Sequence, residues 1–310
     1  MRSVPLGPTD TRVPNIVAGM MRIRDKSDDE IRDLYRAARD AGVTFFDHAD
    51  IYGGQMHACE ERFGSALALR PAEREEVVLQ TKAGIVPAEG SYDSSHAHIV
   101  SSVEGSLRAL RTDYVDVLLI HRPDALVEPE EVARAFDELA QSGKVRAFGV
   151  SNHTPRQIDL LRTAVRQPIV ANQLQLSLSH SSIVTQGLAA NMAAEDAVVR
   201  DGGGVLDYCR LHGITVQAWS PFQRSDGNGV LLGAEDLPDL TAELDRLAAR
   251  HDVTPTAIAT AWITRHPAGM QVVLGTTTPE RVTAAAAGSD IPLTRAEWYG
   301  LVRAAGHAVP

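Results

Sequence analysis

The chain has 310 residues, a formal net charge of −10 and a pI near 5.5, with no basic stripe or arginine-rich run. This charge argues against nucleic acid and anionic membranes as partners, and the length is that of one large barrel domain over residues 1–310. Only two cysteines, no apolar run long enough to span a bilayer and no export signal together predict a cytoplasmic protein.

Eight apolar runs alternate with amphipathic helical patterns along the chain. Because these runs are continuous rather than alternating, both faces of each strand should be covered. The pattern predicts a closed (β/α)8 TIM barrel with an N-terminal extension. The predicted strands are Ile16–Met20, Thr44–Asp47, Val77–Lys82, Val115–His121, Val145–Asn152, Ile169–Gln175, Ile214–Pro221 and Met270–Gly275.

Two connections are longer and less regular than the others. Polar loops are expected after strand six (Ser177–Gly204) and after strand seven (Phe222–Pro238), where lids or substrate walls can form. Within the first, the stretch from Ser181 to Asp201 is either a surface insertion or a wall of the pocket. The last segment, Leu293–Pro310, is predicted to form a terminal helix and tail near the barrel mouth.

Three consecutive predicted strands end in ionisable residues, which are Asp47, Lys82 and His121. A fourth group, Tyr52, follows Asp47 in the turn after strand two. Active sites of parallel barrels are built at the carboxyl ends of the strands. Each residue alone could be structural, as a turn cap, an ion pair or a core histidine, but their coincidence at neighbouring exits favours catalysis.

These four side chains suit a proton donor assisted by its neighbours. A tyrosine has a pKa of roughly 10 in water and needs help to act near neutrality. We expect the Lys82 ammonium to lower the pKa of Tyr52, and Asp47 to pair with the lysine. His121 is expected to hydrogen-bond the carbonyl oxygen that Tyr52 protonates. None of the four is an obvious attacker of carbon, which points to a cofactor that supplies hydride.

Several motifs carry a family resemblance: FDHADIYG, LQTKAG, LLIHRPD, GKVRAFGVSN, NQLQLSL, AWSP and GTTTPER. In this order, from Gly19 to about Ala287, the chain resembles the aldo-keto reductase superfamily, and LIHRPD with AWSP resembles a bacterial branch of it. The resemblance implies an enzyme that reduces an aldehyde or ketone to an alcohol, with hydride from a reduced nicotinamide and a proton from Tyr52. The implied catalytic tetrad is Asp47, Tyr52, Lys82 and His121.

The resemblance also implies a cofactor site. The residues of this site are expected to hydrogen-bond the nicotinamide carboxamide, stack on the nicotinamide ring, bind the pyrophosphate and bind the adenosine end. NADPH is the expected cofactor because the Arg281 fork can bind its extra phosphate. NADH remains the alternative, since Gly275 stands where NADPH-preferring relatives often carry a lysine. The implied residues are Ser151, Asn152, Gln173, Trp219, Ser220, Pro221, Phe222, Gly275, Thr276, Thr277 and Arg281.

Two other functions fit the same residues. Lys82 beside a tyrosine could form a Schiff base, as in an aldolase, although an aldolase has no need of the SN, NQ and AWSP motifs. The chain could instead be a regulatory subunit that binds the cofactor without turnover.

The pair His96 and His98 has a spacing that can bind metal, but no carboxylate-rich partner motif follows, and we predict no metal site. The expected partner is a small carbonyl substrate; its identity and the oligomeric state stay open.

Overall fold

The structure, a computed structural model, describes residues 1–188 and 203–307. Eight parallel strands pair in chain order, and the eighth pairs with the first, so the sheet closes into a barrel. The predicted (β/α)8 barrel is confirmed. The barrel strands are Ile16–Gly19, Phe45–Asp47, Val78–Ala83, Val115–Ile120, Val145–Ser151, Ile169–Gln175, Thr215–Trp219 and Gln271–Leu274.

Helices cover the outside of the barrel, as the amphipathic patterns between the strands predict. The first begins with a capping box, in which the Ser27 hydroxyl accepts from the Glu30 amide while the Glu30 carboxylate accepts from the Ser27 amide. The helices that the sequence patterns predict lie at Asp28–Asp40, Ala58–Leu67, His96–Leu110, Pro129–Gln141, Pro155–Leu161, Val205–Leu211, Pro279–Ala286 and Arg295–Ala304.

Other elements were not predicted. The two largest are the helices Pro238–His251 and Pro255–Thr264, which lie between strands seven and eight. The second has a readable start, because the Thr254 side chain accepts from the Ala257 amide and a proline occupies the first helical turn. The smaller elements are the helices Pro71–Glu75 and Ser182–Leu188, the 3₁₀ helix Ala287–Asp290 and a hairpin of Ile85–Val86 with Ser91–Tyr92.

The N-terminal extension forms an antiparallel hairpin, Ser3–Pro5 with Arg12–Pro14, at the amino end of the barrel. The Thr215 hydroxyl, at the start of strand seven, donates to the Pro5 carbonyl oxygen at 2.9 Å. Side chains of the hairpin segment share one apolar cluster with inward side chains of the strands. The hairpin therefore closes the bottom of the barrel. The cluster includes Val4, Leu6, Val13, Val17, Phe45, Val117, Leu119, Val170 and Val273.

Gly7, in the turn of this hairpin, is held close to the barrel. Its φ of 62° lies in the left-handed region, and a Cβ added there would lie 2.4 Å from the Val170 Cα. Its amide donates to the Thr215 hydroxyl at 2.8 Å. Only glycine satisfies both the backbone conformation and the close approach.

The carboxyl-terminal segment lies near the barrel mouth, as predicted. The helix Arg295–Ala304 packs against Pro238–His251, and His307 Nε2 lies 2.7 Å from Ser181 Oγ in the loop after strand six. Residues 189–202, which hold most of the expected insertion, and residues 308–310 lie outside the described part of the chain. In the described part, no helix is both long and apolar enough to cross a membrane.

Candidate active site

The predicted catalytic side chains meet at the carboxyl end of the barrel. Asp47 is the last residue of strand two, Lys82 lies near the end of strand three, and His121 follows strand four. Tyr52 returns over the barrel in a turn, with its amide donating to the Ala49 carbonyl at 3.1 Å. Gly53 continues this turn with a φ of 93°, which suits glycine.

Lys82 is the centre of the polar contacts in this group. Its Nζ donates to both carboxylate oxygens of Asp47 at 2.7 Å, to the His48 carbonyl at 2.7 Å and to the Tyr52 hydroxyl at 2.9 Å. The lysine and aspartate side chains are 0% and 2% exposed. A buried ammonium and a buried carboxylate each cost solvation free energy, which their pairing and hydrogen bonds offset.

Two opposing effects set the pKa of Tyr52. Burial raises the pKa of Tyr52 above its ordinary value, and this effect outweighs the opposing effect of the Lys82 charge. Lys82 thus acts in the expected direction, but the pKa of Tyr52 is raised overall because desolvation of the phenolate is the larger effect. Burial opposes a charged Lys82, yet the neighbouring Asp47 and Tyr52 raise the pKa of the lysine overall. The pair thus consists of a neutral phenol beside an ammonium.

His121 stands edge-on to Tyr52. Their ring centroids are 5.9 Å apart and the ring planes cross at 82°. Burial lowers the pKa of His121 to about 2, assisted by the positive charges of Lys82 and Arg122. The imidazole is therefore neutral, and it can donate one hydrogen bond without carrying charge.

A chain of glutamines beneath Asp47 was missed from the sequence. The Gln80 amide donates to Asp47 Oδ1 at 2.6 Å and to Gln217 Oε1 at 2.9 Å. Gln217 donates back to Gln80 at 3.1 Å and onward to Gln271 at 2.9 Å, and Gln271 donates to the Pro14 carbonyl at 2.7 Å. The only sequence signal was a polar residue inside an apolar strand, in VVLQTK and in ITVQAW.

One cavity of about 810 Å³ joins the predicted catalytic and cofactor residues. Lys82 lies beneath its floor rather than on its wall, which agrees with the complete burial of the lysine. All eleven predicted cofactor residues line this cavity together with three of the tetrad. The shared lining is Asp47, Tyr52, His121, Ser151, Asn152, Gln173, Trp219, Ser220, Pro221, Phe222, Gly275, Thr276, Thr277 and Arg281.

The exits of strands five, six and seven are linked by hydrogen bonds. The Asn152 side chain donates to Ser151 Oγ at 2.8 Å and accepts from the Trp219 indole at 3.1 Å. Gln173 Nε2 lies 3.1 Å from Asp47 Oδ1. Asn152 and Ser220 have φ values of 60° and 52°, in the left-handed region that costs free energy for residues other than glycine. Such strain is typical of functional sites.

Two cations stand at the far end of the cavity, beside the exit of strand eight. The Arg22 guanidinium donates to the Gly275 carbonyl at 3.3 Å, and Arg281 lies in the first turn of the helix Pro279–Ala286. Within residues 1–188 and 203–307 neither arginine has an ion-pair partner. This end of the cavity can therefore receive an anion.

A buried acidic cluster lies behind the Tyr52 turn. Glu60 is fully buried, accepts from the Thr81 hydroxyl at 2.5 Å and contacts His57 Nδ1 at 2.6 Å. Asp50 is also fully buried, and neither of its carboxylate oxygens has a partner with hydrogen-bond geometry in the described residues. Burial, followed by the charge of Glu60, raises the pKa of Asp50 to about 7, although Ser102 lies near enough to oppose the shift.

His96 and His98, whose spacing could bind a metal, lie in the first turn of the helix His96–Leu110. His96 Nε2 lies 2.7 Å from a carboxylate oxygen of Glu138, whereas His98 Nε2 lies 3.5 Å from the Ser102 hydroxyl. In the part of the chain that the structure describes, no three histidine, cysteine or acidic side chains form a group that could hold a metal.

The fold and the site define an enzyme of the (β/α)8 barrel class. Comparisons then narrow the class: the family model described as the aldo/keto reductase family matches residues 15–304. The chain is 37% identical to an uncharacterized oxidoreductase of Bacillus subtilis over 97% of both chains. It is also 37% identical to a 6-dehydroglucose reductase of Agrobacterium fabrum, over 92% of both.

A solved structure agrees with these relatives. It is a thermostable aldo-keto reductase in complex with the inhibitor epalrestat, with a TM-score of 0.77 and 26% identity over 98% of this chain and 100% of that one. The chain therefore belongs to the aldo/keto reductase family. It is an oxidoreductase of the kind that reduces carbonyl groups.

Proposed function

We propose that the protein is an NADPH-preferring reductase of small aldehydes or ketones in which Tyr52 is the proton donor. The observation that carries the proposal is the position of the Tyr52 hydroxyl, 2.9 Å from the ammonium of the buried Lys82. The proposed tetrad is Asp47, Tyr52, Lys82 and His121. With the exception of Lys82, these residues line the cavity that we assign to substrate and cofactor.

The cavity residues fit a nicotinamide dinucleotide. Ser151, Asn152 and Gln173 offer amide and hydroxyl groups to a carboxamide, and the flat Trp219 ring lies beside them. The exit of strand eight, with Arg281, suits the phosphates. When bound, the reduced nicotinamide supplies the hydride that no side chain of the tetrad can supply.

The protein's own groups control the proton. At neutral pH Tyr52 is a neutral phenol because burial raises its pKa, so it can donate its proton to the carbonyl oxygen. The Lys82 charge then stabilises the phenolate that remains. Asp47 keeps that charge in place, and the neutral His121 can donate a hydrogen bond to the same substrate oxygen.

The Schiff-base alternative is less well supported. Lys82 is fully buried, its donors are occupied by Asp47, His48 and Tyr52, and its pKa is raised overall despite burial. An aldolase needs a neutral amine that can reach the substrate. A purely regulatory role remains distinguishable by turnover, since a binding subunit would reduce no carbonyl compound.

The proton-donor role is tested by Tyr52→Phe. We expect kcat to fall about a hundredfold or more, because general acid catalysis is lost. NADPH binding should remain, and titration of tryptophan fluorescence measures it, with Trp219→Phe identifying the responding ring. A variant that kept the wild-type kcat would remove Tyr52 from the proposal. Carbonyl compounds for the first screen include 6-dehydroglucose, which the name of the Agrobacterium relative suggests.

The NADPH preference has a separate test. If Arg281 binds the extra phosphate, Arg281→Met should weaken NADPH binding by about tenfold or more, since a hydrogen bond to a charged group contributes about 1.5–3 kcal/mol. NADH, which lacks this phosphate, should bind the variant and the parent alike. Equal losses for the two cofactors would contradict the assignment of Arg281.

A further inference from the structure

Arg122 is a partly buried cation on the cavity wall without a protein acceptor. It has neither a hydrogen bond nor an ion pair in the described part of the chain. The other buried or partly buried arginines there each donate at least one hydrogen bond, as Arg74 does to Asp116 and Arg224 to Asp226. Its guanidinium nitrogens are not among the fully buried polar atoms, so its five N–H donors are open to a group that enters the cavity. This arginine is therefore placed to receive a ligand.

Its position assigns it to the substrate end of the cavity. Arg122 directly follows His121, and its guanidinium carbon lies 5.9 Å from the centre of the Trp219 ring. Arg22 and Arg281 instead line the cavity near Gly275, where the phosphates of the cofactor are proposed to bind. Arg122 therefore lies at the end of the cavity where the substrate carbonyl is proposed to bind, and not at the end proposed for the cofactor phosphates.

The carboxylates near Arg122 accept hydrogen bonds from other groups and do not pair with its guanidinium. Among the described residues, Asp47 is the one acidic side chain that lines the cavity. Both of its carboxylate oxygens accept hydrogen bonds from Lys82. Asp124, two positions further along the chain, accepts from the amides of Ser94 at 3.0 Å and Leu126 at 2.8 Å. The local charge is therefore positive, although the whole chain has a net charge of −10.

We propose that the substrate carries an anionic oxygen group, a carboxylate or a phosphate, and that Arg122 binds this group. The proposal rests on the proposed carbonyl reduction by Tyr52. The planar guanidinium fork can bind either oxyanion through two parallel hydrogen bonds, which fixes orientation as well as position. Anchored there, a small substrate presents its carbonyl to Tyr52 and His121. Arg122 is then a specificity-determining residue.

Two matched substrate pairs test this inference. Succinic semialdehyde is compared with butanal, and glyceraldehyde 3-phosphate with glyceraldehyde, by NADPH oxidation with the intact chain. We expect kcat/KM to favour the anionic member by about ten- to a hundredfold, the range of a hydrogen-bonded charge pair. Arg122→Gln should bring this ratio close to one, and Arg122→Lys should restore part of it. The control is Arg166→Gln, which removes an exposed charge outside the cavity.

The outcomes separate the two proposals. A preference for one anionic member that Arg122→Gln removes and Arg166→Gln preserves supports the inference and tells carboxylate from phosphate. Reduction of neutral aldehydes, including neutral sugar aldehydes, as fast as the anionic ones overturns it and leaves the proposed function intact. An anion preference that survives Arg122→Gln also overturns it. No reduction of any of these compounds would overturn the proposed function itself.

Discussion

Replacing the buried Asp50 by asparagine should make the protein more stable at alkaline pH. Asp50 lies between the exit of strand two and Tyr52, and its carboxyl group is buried beside Glu60 with poor hydrogen bonding. Asparagine has the same shape and no charge. The variant should therefore lose the free-energy cost of ionising a buried carboxyl group.

The magnitude follows from the pKa of Asp50, which burial raises from 3.8 to about 7. Between these values the folded protein holds a proton that the unfolded chain has released, so stability falls as pH rises through this window. Above the pKa of Asp50 in the folded protein, the full free-energy cost of ionising the buried carboxyl group is present. At about pH 5, a little more than a third of this cost has appeared. The difference in free energy of unfolding between Asp50→Asn and the parent should therefore increase by about 3 kcal/mol, in favour of the variant, from about pH 5 to about pH 8.

Unfolding in urea, followed by circular dichroism at both pH values, measures this gain. The matched control is Asp113→Asn, because Asp113 is exposed and has no hydrogen bond or ion pair within the described residues. The control should shift the unfolding midpoint equally at the two pH values. If Asp50→Asn behaved like the control, or destabilised the protein more at pH 8 than at pH 5, Asp50 would be ionised without cost and the reasoning would be wrong.

Three further substitutions test other parts of the structure by the same unfolding measurement. Lys82→Met should cost about 3–5 kcal/mol, since it strands a buried carboxylate, and adding Asp47→Asn should recover part of the loss; an additive loss would contradict the pairing. Gln217→Leu should cost about 2–4 kcal/mol by leaving amide groups on both sides unpaired, and a loss under about 1 kcal/mol would show that water replaces the bonds. Gly7→Ala should cost more than Gly90→Ala, because both have positive φ but only the first meets neighbouring atoms; equal costs would remove the close-approach argument.

Much of the barrel could be predicted because its signals are local. Each strand is a continuous apolar run, and helix starts such as Ser27 use side chains that bond their own backbone. The same locality explains why three predicted site residues meet: Asp47, Lys82 and His121 lie at the ends of consecutive strands, and parallel strands bring those ends to one rim. The helix Pro255–Thr264 was not predicted despite its capping threonine, because it is buried on nearly all its faces and lacks the periodic alternation of a surface helix. The helix Pro238–His251 was not predicted either, and it has no side-chain cap.

Other features depend on which distant residues meet. The reciprocal bonds of Gln80 and Gln217 join strands three and seven, which face each other across the barrel, and neither sequence context names the other. The proximity of Asp50 and Glu60, and the lack of an ion pair at Arg122 within the described residues, are likewise facts of packing. No local pattern distinguishes a paired arginine from an unpaired one.

The sequence by itself determined the order of strands and helices, the closed barrel and the residue types at its carboxyl rim, because these follow from periodicity and capping. Tertiary structure alone decided the protonation states. The sequence correctly suggests that an ammonium lowers the pKa of a neighbouring phenol, but the extent of burial decides whether that effect or desolvation prevails. For Tyr52 desolvation prevails, and the proton donor is neutral.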